Sequence, residues 1–116
     1  MGTKTKGSFF VVLLAALCSI TAAARASIVY DLGTFGGSTS VGLAINDAGQ
    51  VAGYSAITGN ATSHAFRYDG TPGAGGIMRD LGTFGGPFSR SNAVNSWGQV
   101  AGDSQITGIS DTHAFR

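Results

Sequence analysis

A seven-residue motif occurs twice in this chain and constrains its fold more than any other feature. Asp-Leu-Gly-Thr-Phe-Gly-Gly occupies 31–37 and returns unchanged at 80–86, an offset of 49 residues. The offset holds to the last residue, and 23 of the 37 positions aligned between 31–67 and 80–116 are identical. The chain is therefore a tandem repeat, with a first unit over 31–79 and a second unit over 80–116 that we interpret as truncated.

The start of the chain predicts a secretory signal peptide over residues 1–26. Two lysines precede a short apolar run, 9–17, and the segment ends in Ala24-Arg25-Ala26. A basic start, an apolar middle and a small-x-small end are the three parts of such a peptide. The run is shorter than the roughly 20 residues of a membrane helix, although an uncleaved membrane anchor is the alternative. We therefore expect cleavage after Ala26 and a secreted chain, 27–116, without a membrane span.

The composition of 27–116 excludes several classes of function. This part contains four arginines and six aspartates, giving a formal charge of −2, and it has no Lys, Glu or Cys. Phosphate binding needs clustered positive charge, so we expect no nucleic-acid partner. Without cysteine there is neither a disulfide framework nor thiol chemistry. The high glycine content disfavours helix and favours short strands joined by tight turns.

Hydrophobic alternation and turn residues predict four short antiparallel strands in each unit. In the first unit the predicted strands are 41–45, 50–57, 63–68 and 77–81. Asn46 and Gly49 stand first and fourth in the segment between the first two strands, and Asn95 and Gly98 repeat this pattern. Asn first and Gly fourth are typical of a type I turn that closes a bulged hairpin. The fold class is therefore all-β, with propeller-blade-like repeats.

The pattern of identity along the second strand predicts which of its faces is buried. Val51, Gly53, Ser55 and Ile57 are identical in the second unit, whereas Tyr54 and Ala56 are replaced by Asp103 and Gln105. Alternate residues of a strand point to opposite faces of the sheet. We expect the identical set to be buried and the variable set to be wetter, with a close neighbour over the small Gly53 and Ser55.

The start of the mature chain predicts an incomplete array. Residues 27–32 align with 76–81, so we expect them to form a fourth strand of a preceding blade. A repeat of this kind needs neighbours, and fewer than about three rarely suffice for stability. We therefore expect the chain to be part of a longer array, or to be marginally stable and to self-associate through open sheet edges.

Three motifs in fixed order resemble the HAF-repeat family of exported bacterial proteins. Its members carry His-Ala-Phe, then Asp-Leu-Gly-Thr-Leu-Gly-Gly, then Ile-Asn-x-x-Gly-Gln-Val-Val-Gly. The first element occurs here at 64–66 and the third at 45–53, while Phe35 and Phe84 replace the usual Leu of the second. The resemblance implies a secreted or cell-surface protein. No common catalytic activity is associated with the members of this family. Kelch repeats are a weaker resemblance, and a β-solenoid with parallel pairing between units is a further alternative.

The recurring polar residues are candidates for chemistry. His64 and His113 have the residue type of a metal ligand or general base. A catalytic residue has no reason to recur in each unit, so we expect both rings to hydrogen-bond a neighbouring backbone group. For Asp31 and Asp80 we favour the capping of a turn over calcium binding, which needs six to eight oxygen ligands.

Two further motifs are weaker indications of a functional site. Gly33, Gly36 and Gly37 could form a phosphate loop, but no Lys-Ser/Thr follows them. Asn60-Ala61-Thr62 fits a glycosylation sequon. We therefore predict no catalytic, cofactor-binding or metal-binding residues.

The sequence thus favours a secreted or cell-surface structural or binding module, without enzymatic activity or cofactor, for an unknown ligand or protein partner. The alternative is a fragment of an exported propeller enzyme, a glycan-active hydrolase or lyase, whose active site lies in other repeats. Paired carboxylates beside a groove would favour that enzyme.

Overall fold

The computed structural model describes residues 27–108 and 110–116, and the predicted signal peptide, 1–26, lies outside them. These residues form seven strands: β1 (Gly36–Ile45), β2 (Val51–Ile57), β3 (Ser63–Asp69), β4 (Ile77–Gly82), β5 (Gly85–Val94), β6 (Val100–Ile106) and β7 (Thr112–Phe115). Within these ranges there is no helix, and hence none long and apolar enough to cross a membrane. The all-β prediction is confirmed.

The first unit has four antiparallel strands, as its sequence predicts, but β1 begins at Gly36 and not at the predicted Val41. β1 pairs with β2, β2 with β3, and β3 with β4, all antiparallel. The turn after β1 has the expected geometry, because the Gly49 amide donates to the Asn46 carbonyl over 3.0 Å and Gly49 has a φ of 79°. Asn46 Oδ1 accepts the Gln50 amide over 2.9 Å, which holds the turn from its side chain.

The second unit repeats this arrangement, and the two units join in one open sheet. β5, β6 and β7 pair antiparallel with the same registers and bulges as β1, β2 and β3. The strand order is β1-β2-β3-β5-β6-β7, with β4 pairing only with β3. β3 therefore shares one edge between two partners: most of it pairs with β4, and Ser63 forms a single parallel bridge with Phe88 of β5.

One face of each unit is filled by its own Gly-rich segment. The rings of Phe35 and Phe66 pack edge to face with their centroids 6.4 Å apart, and Phe66 is 1% exposed. Gly53 lies opposite Phe66, and a Cβ on Gly53 would overlap the carbonyl oxygen of Val41. The close approach that the small residues predicted is confirmed at this position.

The predicted burial of β2 is only partly right. Gly53 and Ser55 are buried, but Val51 and Ile57 are half-buried like the variable Tyr54. Ala52, which shares the opposite face with Tyr54, is 0% exposed. Both faces of β2 are covered. The second unit packs on the face of Tyr54 and Ala52, which we had expected to be exposed to water because Tyr54 differs between the repeats.

The expected strand over 27–32 is not found. No residue from 27 to 34 has strand structure, and the Val29 side chain is 95% exposed. The aligned segment, β4, forms a strand because β3 lies beside it. No described strand lies beside 27–32, so its backbone has no partner with which to form a ladder.

Candidate functional site

The two recurring aspartates cap turns, as their position before glycine predicts. Asp31 Oδ1 accepts the Gly33 amide over 2.9 Å, and Asp80 Oδ1 accepts the Gly82 amide over 2.7 Å. Both glycines have positive φ, 84° and 71°. A side chain that accepts an amide two residues ahead stabilises such a turn.

The amides of the Gly-rich segment are bonded to side chains of the protein itself. The Phe35 amide donates to Ser55 Oγ over 2.9 Å, and the Gly36 amide donates to Thr34 Oγ1 over 3.1 Å. Phe84 and Ser104 repeat the first of these bonds at 2.8 Å. This segment therefore positions a phenylalanine over the sheet and does not present the free amides of a phosphate loop.

His64 has a different partner from the one we expected. Its Nδ1 lies 2.9 Å and 3.0 Å from the two carboxylate oxygens of Asp80, whereas a backbone group was predicted. The pair lies between the third strand of one unit and the first motif of the next, and sequence alone could not place these elements together. His113 is exposed and has no such ion pair among the described residues. No group of three or more metal-ligating side chains occurs in 27–108 and 110–116.

The glycosylation sequon has a structural role in the loop between β2 and β3. Asn60 has a positive φ of 59°, and its Oδ1 accepts the Ser38 amide over 2.7 Å. The Asn60 side chain is thereby fixed against the start of β1.

A serine of the second unit connects three elements at the junction of the units. Ser89 Oγ accepts the Ala65 amide of β3 over 2.8 Å and donates to the Gly82 carbonyl at the end of β4 over 2.6 Å. Ala65 is 0% exposed and Ser89 is 3% exposed, so water cannot replace these bonds. Ser89 is therefore a buried link between the units.

The Asn-Gly turns of the two units stack on each other. Asn46 Nδ2 donates to the carbonyl oxygen of Asn95, its counterpart 49 positions later, over 2.7 Å. Arg67 Nη1 donates to the Gly98 carbonyl over 2.5 Å. The same turn thus serves in each unit as a hairpin and as a docking surface for its neighbour.

Asp69 at the end of β3 holds Arg67 in position for this contact. Its carboxylate accepts two hydrogen bonds from Arg67, at 2.7 Å and 2.9 Å, one from Gln50 at 2.8 Å and one from Arg79. These donors, Arg67 foremost, lower the pKa of Asp69 from 3.8 to about 2. The cluster orients a cation toward the second unit and is fully charged at neutral pH.

A groove of about 250 Å³ lies where the two units meet. Residues of both units line it: Tyr54, Ser63, Phe88, Ser89, Arg90, Asp103, Gln105 and Thr112. Phe88 is 47% exposed, so part of its ring is open to solvent in a cleft that Tyr54 and polar side chains also line. Concave surfaces with a few convergent polar groups are the usual form of a small-molecule site.

The charges in the groove neutralise each other. Arg90 Nε lies 2.9 Å from Asp103 Oδ1, which also accepts a hydrogen bond from Asn92 at 2.8 Å. The hydrogen bond from Arg90, with that from Asn92, lowers the pKa of Asp103. Gln105 Oε1 is buried without a hydrogen-bond partner among the described atoms, so this oxygen is not open to a ligand in the groove as it stands.

Most groove residues differ between the repeats. Tyr54, Phe88, Arg90 and Gln105 correspond to Asp103, Thr39, Val41 and Ala56 in the other unit, whereas Ser89 corresponds to Ser40. Sequence reasoning did not find this groove. The sequence signal for the groove is the difference between the repeats at Tyr54 and Ala56, from which we predicted only that this face of the strand is more exposed to water.

Comparison of the chain with protein-family models, with curated proteins and with solved structures gives no significant match.

Proposed function

We propose that this chain is an exported repeat protein of the HAF type that acts as a structural and binding module. Its three ordered motifs support the family resemblance, and the basic-apolar-small start of the chain supports export. The single antiparallel sheet of β1 to β4 supports the reading of each unit as a propeller-like blade.

The observation that carries the binding role is the division between identical and variable residues. The residues that join the units, such as Asn46, Arg67 and Ser89, are the same in both repeats, while most residues of the groove are not. A constant frame that carries variable side chains at a concave junction is the arrangement of repeat proteins that bind ligands.

The chemistry of the groove suits an uncharged, hydroxyl-rich ligand such as an oligosaccharide. Tyr54 and Phe88 offer aromatic faces for the apolar side of a sugar ring. Arg90 and Asp103 are paired, so their charges cancel while their remaining donor and acceptor atoms can bind hydroxyl groups. The volume of about 250 Å³ is slightly below the range of roughly 300–1,000 Å³ for small-molecule sites, which favours a single sugar unit.

A titration with neutral mono- and disaccharides, followed by amide chemical shifts in NMR spectra, tests this role. We expect shifts at the groove residues, and we expect Phe88→Thr, which installs the residue of the first unit, to abolish them. Trp97→Ala is the matched control, because it removes an aromatic side chain that is 84% exposed and lies outside the groove. Sugar at about 50 mM would saturate a site of ordinary ligand affinity, since typical dissociation constants are far lower. An absence of shifts in the groove at this concentration would exclude the carbohydrate proposal. Shifts of equal size in Phe88→Thr would exclude it as well.

The enzyme alternative receives no support from the described residues. Asp69, Asp80 and Asp103 each contact an arginine or histidine. No carboxylate pair flanking the groove is present in that part of the chain.

A further inference from the structure

Arg90, Asn92 and Asp103 of the second unit form a polar network at the groove. Asp103 Oδ1 accepts a hydrogen bond from Arg90 Nε over 2.9 Å and another from Asn92 Nδ2 over 2.8 Å. Arg90 and Asp103 line the groove, and Asn92 lies two positions further along β5. Because both donors reach the same carboxylate oxygen, together they fix the orientation of the Asp103 carboxylate.

The pairing of Arg90 with Asp103 leaves part of each group unused. Arg67 and Asp69, by comparison, form two hydrogen bonds that involve both carboxylate oxygens. Within the described part of the chain, no hydrogen bond reaches Asp103 Oδ2 or leaves the two Nη atoms of Arg90. The side chains of Arg90 and Asp103 are 59% and 30% exposed, so a ligand in the groove can reach this side of the pair.

The unused atoms are one acceptor beside one donor. The hydrogen bond from Arg90 lowers the pKa of Asp103, so the carboxylate is ionised at neutral pH. An ionised carboxylate only accepts hydrogen bonds, and a guanidinium only donates them. Two hydroxyl groups on adjacent carbons match this arrangement, because one donates to Asp103 Oδ2 while the other accepts from an Nη of Arg90. Hydrogen bonds to charged groups of this kind are stronger than those between neutral groups.

The polar network belongs to the second unit alone and is not needed for the fold. β1 pairs with β2 in the same register as β5 with β6, with the same two irregularities. The first unit keeps this geometry although all three network residues are replaced there by uncharged, largely apolar ones: Val41, Leu43 and Tyr54. The three residues thus differ together between the repeats, which indicates a shared role other than holding the strands.

The position of the polar network stays open when a neighbouring unit follows. Tyr54, the first-unit counterpart of Asp103, is half-buried although the second unit packs beside it, and Asp103 is half-buried too. Leu43, the counterpart of Asn92, is 46% exposed in the same surroundings. A unit that follows the second would therefore leave the polar network within reach of a ligand.

We propose that Arg90 and Asp103 recognise two hydroxyl groups on adjacent carbons of a sugar ring whose apolar face lies on Phe88. The inference rests on the proposed carbohydrate-binding function and narrows it to sugars with a free vicinal diol at the bound edge. Phe88 supplies the aromatic face, since it lines the same groove and is 47% exposed. Asn92 is a positioning residue, because it acts on the sugar through Asp103.

An NMR titration of the protein with neutral methyl hexopyranosides of the gluco, manno and galacto series tests this recognition. Each sugar that shifts the groove amides is compared with its analogues that lack one hydroxyl group. We expect the loss of either of two adjacent ring hydroxyls to raise the dissociation constant about tenfold or more, since a hydrogen bond to a charged group is removed. The loss of any other hydroxyl should have little effect.

Two variants assign the hydroxyls to the polar network. Asp103→Asn keeps the size of the side chain but removes its charge, so it should weaken the parent sugar about tenfold. It should not weaken further the analogue that lacks the hydroxyl bound to Asp103, because that contact is already missing. Asn92→Leu, which installs the first-unit residue, should show the same dependence on that hydroxyl with a smaller loss.

Asp47→Asn is the matched control, because it also removes one carboxylate but lies in an exposed turn outside the groove. It should bind every sugar as the wild type does. The amide spectrum of each variant reports directly whether the sheet is kept.

The possible failures are distinguishable. Sugars that shift the groove amides but depend on no hydroxyl, or on one alone, would overturn the diol inference and leave the carbohydrate-binding function standing. Equal weakening of the parent sugar and the deoxy analogue by Asp103→Asn would overturn it in the same way. An absence of groove shifts with all three series would contradict both proposals.

Discussion

Replacement of Asp69 by Asn is expected to remove much of the acid-sensitive stability of the fold. Asp69 accepts hydrogen bonds from Arg67, Gln50 and Arg79, and its side chain is 20% exposed. Its pKa is lowered from 3.8 to about 2. Asn has nearly the same shape but no charge, so it leaves two guanidinium groups without their carboxylate.

The size of the effect follows from the shift in pKa. A shift from 3.8 to about 2, at about 1.4 kcal/mol for each pKa unit, corresponds to about 2 kcal/mol. The folded state has the lower pKa, so it holds the proton less tightly than the unfolded chain. The stabilisation is therefore complete above about pH 4–5 and is lost as the pH falls through the folded-state pKa.

Urea denaturation of the wild type and of Asp69→Asn between about pH 2 and pH 7 measures this contribution. We expect the difference in unfolding free energy to be about 2 kcal/mol at neutral pH and to fall to well under half of that value near pH 2. Asp47→Asn, at an exposed position of the turn, is the control for the loss of one negative charge. The reasoning would be refuted if the unfolding free energies of the wild type and Asp69→Asn differed by the same amount across this pH range. It would also be refuted if they were equal at neutral pH.

Three further predictions concern the junction of the units, the start of the chain and the repeat histidines. Ser89→Ala should destabilise the protein by about 1–3 kcal/mol in thermal or urea unfolding, because it leaves the buried Ala65 amide unpaired, whereas Ser40→Ala should cost under about 1 kcal/mol; equal costs would contradict the role of Ser89. The intact mass of the exported protein should lack everything up to Ala26, and a mass that retains the leader would disprove the signal peptide. Replacing both repeat histidines by Gln should leave calorimetric metal titrations unchanged, and loss of stoichiometric sub-micromolar binding would show a metal site.

Local features of the fold could be read from the sequence. The strands of the first unit, the Asn46–Gly49 turn and the capping by Asp31 and Asp80 depend on residues close to one another in the chain. Their alternation, glycine positions and turn residues carry the information directly. The turn and the two caps were predicted correctly because neighbouring residues determine their geometry, whereas the strands of the first unit form because each lies beside a partner strand.

Features that depend on the packing of the units could not be read in the same way. His64 contacts Asp80, 16 positions away, and Ser89 contacts Ala65, 24 positions away. The groove and the burial of Ala52 arise from the same junction. The strand expected at 27–32 failed for a related reason, since a strand needs a partner and the sequence motif alone does not supply one.

The residues that are identical in the two repeats and those that differ have different roles in the structure. Arg67 and Ser89 make contacts on which two units depend, so a change at either position breaks the junction. The side chains of Tyr54 and Phe88 line the groove, and the bridge of Phe88 to Ser63 uses backbone atoms, so these two side chains can differ between repeats. Apart from Ser89, which belongs to both sets, the side chains that join the units differ from those that line the groove.

Residue-resolved amide hydrogen exchange at low protein concentration tests the junction between the units most directly. Ala65 and Ala114 occupy equivalent positions, but only the Ala65 amide is bonded to a serine of the following unit and fully buried. We predict that the Ala65 amide is strongly protected, that the Ala114 amide exchanges quickly, and that Ser89→Ala reduces the difference. Equal exchange of the two amides in the dilute wild-type protein would contradict a junction built from repeated residues.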